Sequence, residues 1–128
     1  MRNTVRMVAA GLIAIAACGS PASPSGGGGG ISGQAAQVSV GNVFFRSEHN
    51  GSQNPAVDTI AAGTTFTWTW ATAGQHSIQS TGTPGIFRNS VIMTAGGSTY
   101  SVTFNTPGTY AYDCIVHGAA MSGVVVVQ

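Results

Sequence analysis

From residue 37 onward, apolar and polar side chains alternate with a period of two, the spacing of a strand that buries one face. The clearest run is Thr64 to Trp70. Phe66, Trp68 and Trp70 fall on one side, and Thr65, Thr67 and Thr69 on the other. Gln37 to Arg46 alternates around Val38, Val40, Val43 and Phe45, and Gly41-Asn42 shifts its phase as a bulge would. Short strands are also predicted over Val57 to Ile60, His76 to Ser80 and Ser98 to Phe104. After the turn Asn105-Thr106-Pro107-Gly108, Tyr110, Tyr112 and Cys114 share one face of a further strand. Gly123 to Val127 is a continuous β-branched run, the mark of a buried final strand. Ser47 to Ala56 and Thr81 to Ala95 read as connections; in the second, Ile86-Phe87 and Val91-Ile92-Met93 are expected to pack over the core. No segment keeps helical periodicity. Seven or eight short strands separated by Gly/Pro turns predict an all-β fold, an antiparallel Greek-key sandwich.

The N-terminal third follows a different pattern. Arg2 and Arg6 precede an apolar run from Met7 to Ala17, so residues 1–17 read as an export signal. Ile15-Ala16-Ala17-Cys18 has the form of a bacterial lipobox, with Cys18 the residue lipidated. Residues 18–35, with Pro21, Pro24 and the Gly26–Gly30 run, form a linker that builds no core, leaving 36–128 as one folded domain. A coil of that length spans on the order of 20 Å, enough to hold a small domain off a membrane. The expected location is the bacterial cell envelope, with the domain anchored through lipid and facing the periplasm or exterior.

Charge narrows the function. Only 5% of the 128 residues are charged, against about 25% in an average domain. No apolar run reaches the roughly 18–20 residues that span a bilayer. From Cys18 onward the chain carries Arg46 and Arg88 against Glu48, Asp58 and Asp113, a net side-chain charge of −1 with no lysine. Such a surface has no basic patch for nucleic acid and no strong field to steer a partner. Nothing in it points to oligomerisation, so a monomer is expected.

The chemistry is concentrated in Tyr112-Asp113-Cys114-Ile115-Val116-His117-Gly118-Ala119-Ala120-Met121-Ser122, between two strand-like runs. A thiol, an imidazole and a thioether on one loop suit copper. Two imidazoles, one thiolate and a long, weak methionine contact make the trigonal site used for copper electron transfer. The second imidazole is sought upstream, and His76 in Gln75-His76-Ser77-Ile78 is the candidate. The proposed ligands are therefore His76, Cys114, His117 and Met121, with Cys114 bound as thiolate and the loop Ile115 to Ser122 closing one end of the core. Four protein ligands leave no open position for a substrate, which favours a carrier over an enzyme. His49 reads as a solvated loop residue, and Met93, Trp68 and Trp70 as core or cover.

The ordered set Gly63-Thr64-Thr65-Phe66-Thr67-Trp68, His76-Ser77-Ile78, Pro107-Gly108-Thr109-Tyr110, C-x-x-H-x-x-x-M and a valine-rich end resembles the plastocyanin/azurin family of blue (type 1) copper proteins, the cupredoxins, over residues 36–128. The resemblance implies one copper ion and one-electron transfer between redox proteins through transient docking. It implies that electrons leave by the His117 edge, framed by the small residues Gly118, Ala119 and Ala120. It also implies that the Ser77 backbone N–H donates to the Cys114 sulfur, while the Ser77 side chain ties the two ligand segments together. Copper storage or delivery through the same ligands is the alternative. The spacing is mixed: two residues separate Cys114 from His117, as in plastocyanin, and three separate His117 from Met121, as in azurin. Asp113 stands where plastocyanins carry a surface tyrosine, so the docking route through that tyrosine does not transfer. The set has neither the second loop cysteine of a dinuclear copper centre nor the His-x-His pairs of a multicopper oxidase.

Overall fold

The computed structural model describes residues 36–128. The proposed export signal, Cys18 and the linker lie outside the described residues. Eight strands form: β1 (Gln37–Gly41), β2 (Phe44–Ser47), β3 (Ala56–Ile60), β4 (Thr64–Trp70), β5 (Gln79–Ser80), β6 (Thr99–Phe104), β7 (Gly108–Cys114) and β8 (Gly118–Val127). There is no helix among the described residues. The strands make two four-stranded sheets, in the orders β2-β1-β4-β6 and β3-β8-β7-β5. The sandwich of eight strands is as expected, but the sheets are mixed. β1 runs parallel to β4 and β3 parallel to β8, while the other neighbours are antiparallel. Strand periodicity reports which face is buried and carries no signal for the direction of a neighbour, which is why the parallel pairs escaped notice.

The alternation in β4 sets the core. Phe66, Trp68 and Trp70 are fully buried. On the outer face, Thr65 and Thr67 pair their hydroxyls with Thr103 and Ser101 of β6, each at 2.8 Å. Trp68 meets Tyr112 of the opposite sheet edge-on at 5.2 Å and stacks on Phe87 at 5.8 Å. Phe45 meets the same tyrosine at 5.1 Å. Edge-to-face geometry suits the ring quadrupoles and adds roughly 0.5–1.5 kcal/mol per pair beyond area burial. Tyr112 packs so closely over Gly123, its register partner, that a Cβ there would overlap the phenol end of the tyrosine ring. A glycine at 123 thus makes room for Tyr112, two residues before Cys114 on the same face.

Three local expectations are corrected. The run Gln37 to Arg46 is not one bulged strand: Asn42 and Val43 form a turn, and β1 and β2 fold back as a hairpin. His76 to Ser80 is not a continuous strand, because His76 makes an isolated bridge to Met93 and only Gln79–Ser80 joins a sheet. In the long connection, Phe87 and Met93 pack on the core, but Ile86, Val91 and Ile92 are exposed. Tyr110 closes the turn before β7 as a tyrosine corner, donating its hydroxyl hydrogen to the Thr106 carbonyl at 2.8 Å.

One buried carboxyl stands apart. Asp58 on β3 is 3% exposed and accepts from the Ser47 hydroxyl at 2.6 Å. Burial raises its pKa, against smaller lowering effects from the Ser47 hydrogen bond and the nearby His49. The folded protein therefore holds this proton at pH values where the unfolded chain has lost it. Stability from this group is greatest below the ordinary carboxylate value and falls as pH rises through the raised one. Asp58→Asn keeps an oxygen for Ser47 and is expected to flatten that part of the profile. Urea unfolding across acidic pH, wild type against variant, measures it, and an unchanged slope would assign the effect to another group.

Candidate metal centre

Cys114 ends β7, fully buried on the face that also carries Tyr112. The chain then turns tightly: the His117 N–H donates to the Cys114 carbonyl at 3.1 Å, and Gly118 pairs with Cys114. Only residues 115–117 form the turn, and β8 begins at Gly118, so the expected loop from Ile115 to Ser122 is largely strand. The register slips next to the cysteine. Asp113 faces Ser122 while Cys114 faces Gly118, leaving Ala119, Ala120 and Met121 without cross-strand partners. Such an irregularity re-aims side chains. Here Met121 is fully buried, whereas Ala119 and Ala120 are exposed.

His76 comes from the connection after β4 and is fully buried. Its backbone is held by Met93 through reciprocal hydrogen bonds of 3.1 and 2.9 Å. Its ring is held by Asn42, in the β1–β2 turn, whose Oδ1 lies 2.9 Å from Nε2. That leaves Nδ1 facing the Cys114 sulfur at 3.9 Å. The His76 and His117 ring centroids are 5.0 Å apart.

One ligand atom from each of His76, Cys114 and His117 lies within 4.8 Å of the others. Metal–nitrogen and metal–sulfur bonds of about 2.0 and 2.3 Å, set near 120° in a trigonal site, place ligand atoms about 3.5–3.7 Å apart. The cluster thus needs to tighten by no more than about 1 Å to close on one ion. The His117 Nδ1 is buried without a hydrogen-bond partner. A buried polar atom left unpaired costs about 1–3 kcal/mol, and a metal at the centre of the cluster removes that cost. Burial, then the neighbouring His117, pushes the His76 pKa down, so the ring is neutral, as a ligand must be. Two nitrogens, a soft sulfur and a buried thioether fit copper better than zinc, whose structural sites take no methionine.

The Ser77 side chain does tie the ligand segments together. Its Oγ accepts from the Ile115 N–H at 3.1 Å across 38 residues of sequence. The expected bond from the Ser77 N–H to the sulfur is not among the hydrogen bonds of the described residues, where the sulfur's neighbour is His76 Nδ1. Sequence reasoning missed Asn42, because turn chemistry explains an asparagine after Gly41 without a further partner. It also missed Ile115 and Val116, 61% and 44% exposed beside the half-buried His117. Two large apolar residues directly after a buried cysteine, at a predicted loop, were the available signal. His49 is exposed, its N–H bonded to the Ser47 hydroxyl. Cys114 is an unpaired, buried thiol.

Comparison with known proteins agrees with this geometry. The model of copper-binding proteins of the plastocyanin/azurin family matches residues 47–128. Amicyanin-alpha of Methylorubrum extorquens is 42% identical over 77 residues, covering 59% of this chain and 63% of that protein. A plastocyanin of Prochlorothrix hollandica is 35% identical over 80 residues, covering 58% of this chain and 61% of its own length. The match thus spans a little over three fifths of either relative. Among solved structures, a purple cupredoxin from Nitrosopumilus maritimus superposes with a TM-score of 0.56 at 29% identity, over 72% of this chain and 98% of that one.

Proposed function

The chain belongs to the plastocyanin/azurin family of copper-binding proteins, and from that premise we propose that it is a mononuclear type 1 copper protein carrying single electrons between redox partners in the bacterial cell envelope. The observation that carries the reading is the compact cluster of one thiol and two imidazoles, in which only His117 reaches the surface. Bound copper supplies a one-electron couple. His76, Cys114 and His117 would hold it, and the buried Met121 would supply a weak thioether donor. Because His76 is pinned by Asn42 and Met93, and Cys114 by strand pairing, these two ligands are set before metal arrives. Rigid ligands change little between oxidation states, so little reorganisation opposes transfer. The buried ligands exclude substrate from the ion, which supports a carrier rather than an enzyme.

His117 is flanked in the chain by Ile115, Val116, Gly118, Ala119 and Ala120, all exposed or half-buried and none charged. A partner docking there meets an apolar, uncharged surface, which suits a small, transient interface with weak salt dependence. The N-terminal segment supports export, lipidation at Cys18 and a tethered domain. Cys18→Ala should move the protein from the membrane fraction to the soluble one, and unchanged partitioning would remove the anchor from the reading.

The central test is an absorption spectrum after one equivalent of copper(II). An intense visible thiolate-to-copper band, bleached by reductant and restored by oxidant, is expected. A colourless protein would overturn the electron-carrier reading. A coloured protein that loses copper rapidly to a chelator would favour storage or delivery through the same ligands.

A further inference from the structure

We infer that Asn42 is a positioning residue for the copper site. It fixes which nitrogen of His76 faces the metal and, with that, how strongly the ring donates. This rests on the copper reading above, but its first test needs no copper.

Two contacts leave the asparagine no freedom. Its Nδ2 donates to the Ala73 carbonyl at 3.3 Å. Its amide oxygen is therefore the atom that faces His76 Nε2 at 2.9 Å. An amide oxygen only accepts, so Nε2 carries the ring proton and Nδ1 keeps its lone pair. Nδ1 is the atom on the sulfur side, 3.9 Å from Cys114. The hydrogen bond thus selects the tautomer that can bind metal and orients the ring in the copper-free protein.

The sequence at 73–76 is shaped to this contact. Ala73 supplies the carbonyl that orients the amide, and Gly74 makes room for it. A Cβ at Gly74 would collide with Asn42 Oδ1 and lie 2.8 Å from His76 Nε2. Asn42 is otherwise an exposed turn residue of the β1–β2 hairpin, 34 residues from the histidine. An acceptor on the far nitrogen of a ligating histidine raises its basicity, and losing such a partner costs about 10–100-fold in metal affinity. Copper(II), the harder ion, gains more from a stronger nitrogen donor than copper(I). Removal of the contact therefore raises the reduction potential, by about 59 mV for each tenfold of affinity lost by copper(II) alone.

The test uses Asn42→Ala, Asn42→Asp and Gly74→Ala. In the copper-free protein, nitrogen-15 NMR of His76 should show a protonated, slowly exchanging Nε2 in the wild type. The signal should persist in Asn42→Asp, which keeps the acceptor, and be lost in Asn42→Ala and Gly74→Ala. With copper, the same two variants should bind copper(II) about 10–100-fold more weakly and at higher potential, whereas Asn42→Asp should shift the potential downward. Gly74→Ala reaches the contact from the other side, so an unfolded Asn42→Ala leaves the test standing. A protected Nε2 proton in Asn42→Ala, or unchanged potentials in all three folded variants, would overturn the inference. If no variant and no wild type bound copper, the electron-carrier proposal would fail while the NMR result still judged Asn42.

Discussion

Cys114→Ser is expected to abolish the visible thiolate-to-copper band completely and to weaken copper(II) binding by well over the 10–100-fold typical of losing an outer partner. The band needs sulfur electrons, and a serine hydroxyl neither ionises near neutral pH nor offers a soft donor. The fold should survive. Cys114 is fully buried with His76 Nδ1 beside it at 3.9 Å; even a hydroxyl that failed to reach that nitrogen would cost about 1–3 kcal/mol, less than the roughly 5–15 kcal/mol that holds a typical domain. Absorption spectra and denaturant unfolding of the copper-free variant measure the two effects separately. A retained band would remove Cys114 from the ligand set.

His117→Gly is expected to separate transfer from stability. The residue is half-buried at the rim and makes no side-chain hydrogen bond among the described residues, so its loss should change unfolding free energy by about 1 kcal/mol or less. Electron exchange with a partner should fall by more than about 100-fold, the upper end of what losing an outer partner costs, because a ligand and the exposed edge go together. Added imidazole should refill the gap and recover the visible band. Stopped-flow exchange with and without imidazole reads the outcome. Wild-type rates in its absence would show that electrons leave by another route.

Both predictions concern residues that the sequence singled out, and the reason is local. Cys114, His117 and Met121 lie within eight positions, where spacing alone places three donors near one another. The core face of β4 was equally plain, since three aromatics alternating with three threonines leave one orientation. What escaped the sequence depends on distant approach. Asn42 meets His76 across 34 residues and Ser77 meets Ile115 across 38. Nothing in Gly41-Asn42 distinguishes a turn that holds a ligand from one that merely reverses the chain. The connection from Thr81 to Ala95 was misjudged for a related reason. Its apolar residues divide between core and solvent, Phe87 inward and Ile86 outward, without a repeating period to say which. The slip beside Cys114 hid likewise, because an alternating pattern cannot show three residues left out of register.

The strand order of the second sheet bears on when the protein can fold. β8 is the last strand of the chain, yet it lies between β3 and β7. A growing chain that has not yet delivered residues 118–127 holds two strands of that sheet with no partner between them, and lacks Met121. Ordering of the sheet, burial of Asp58 and assembly of the candidate ligands must therefore wait for those ten residues to emerge. Synthesis order thus sets a sequence of events in which the donor set is complete only once β8 is in place.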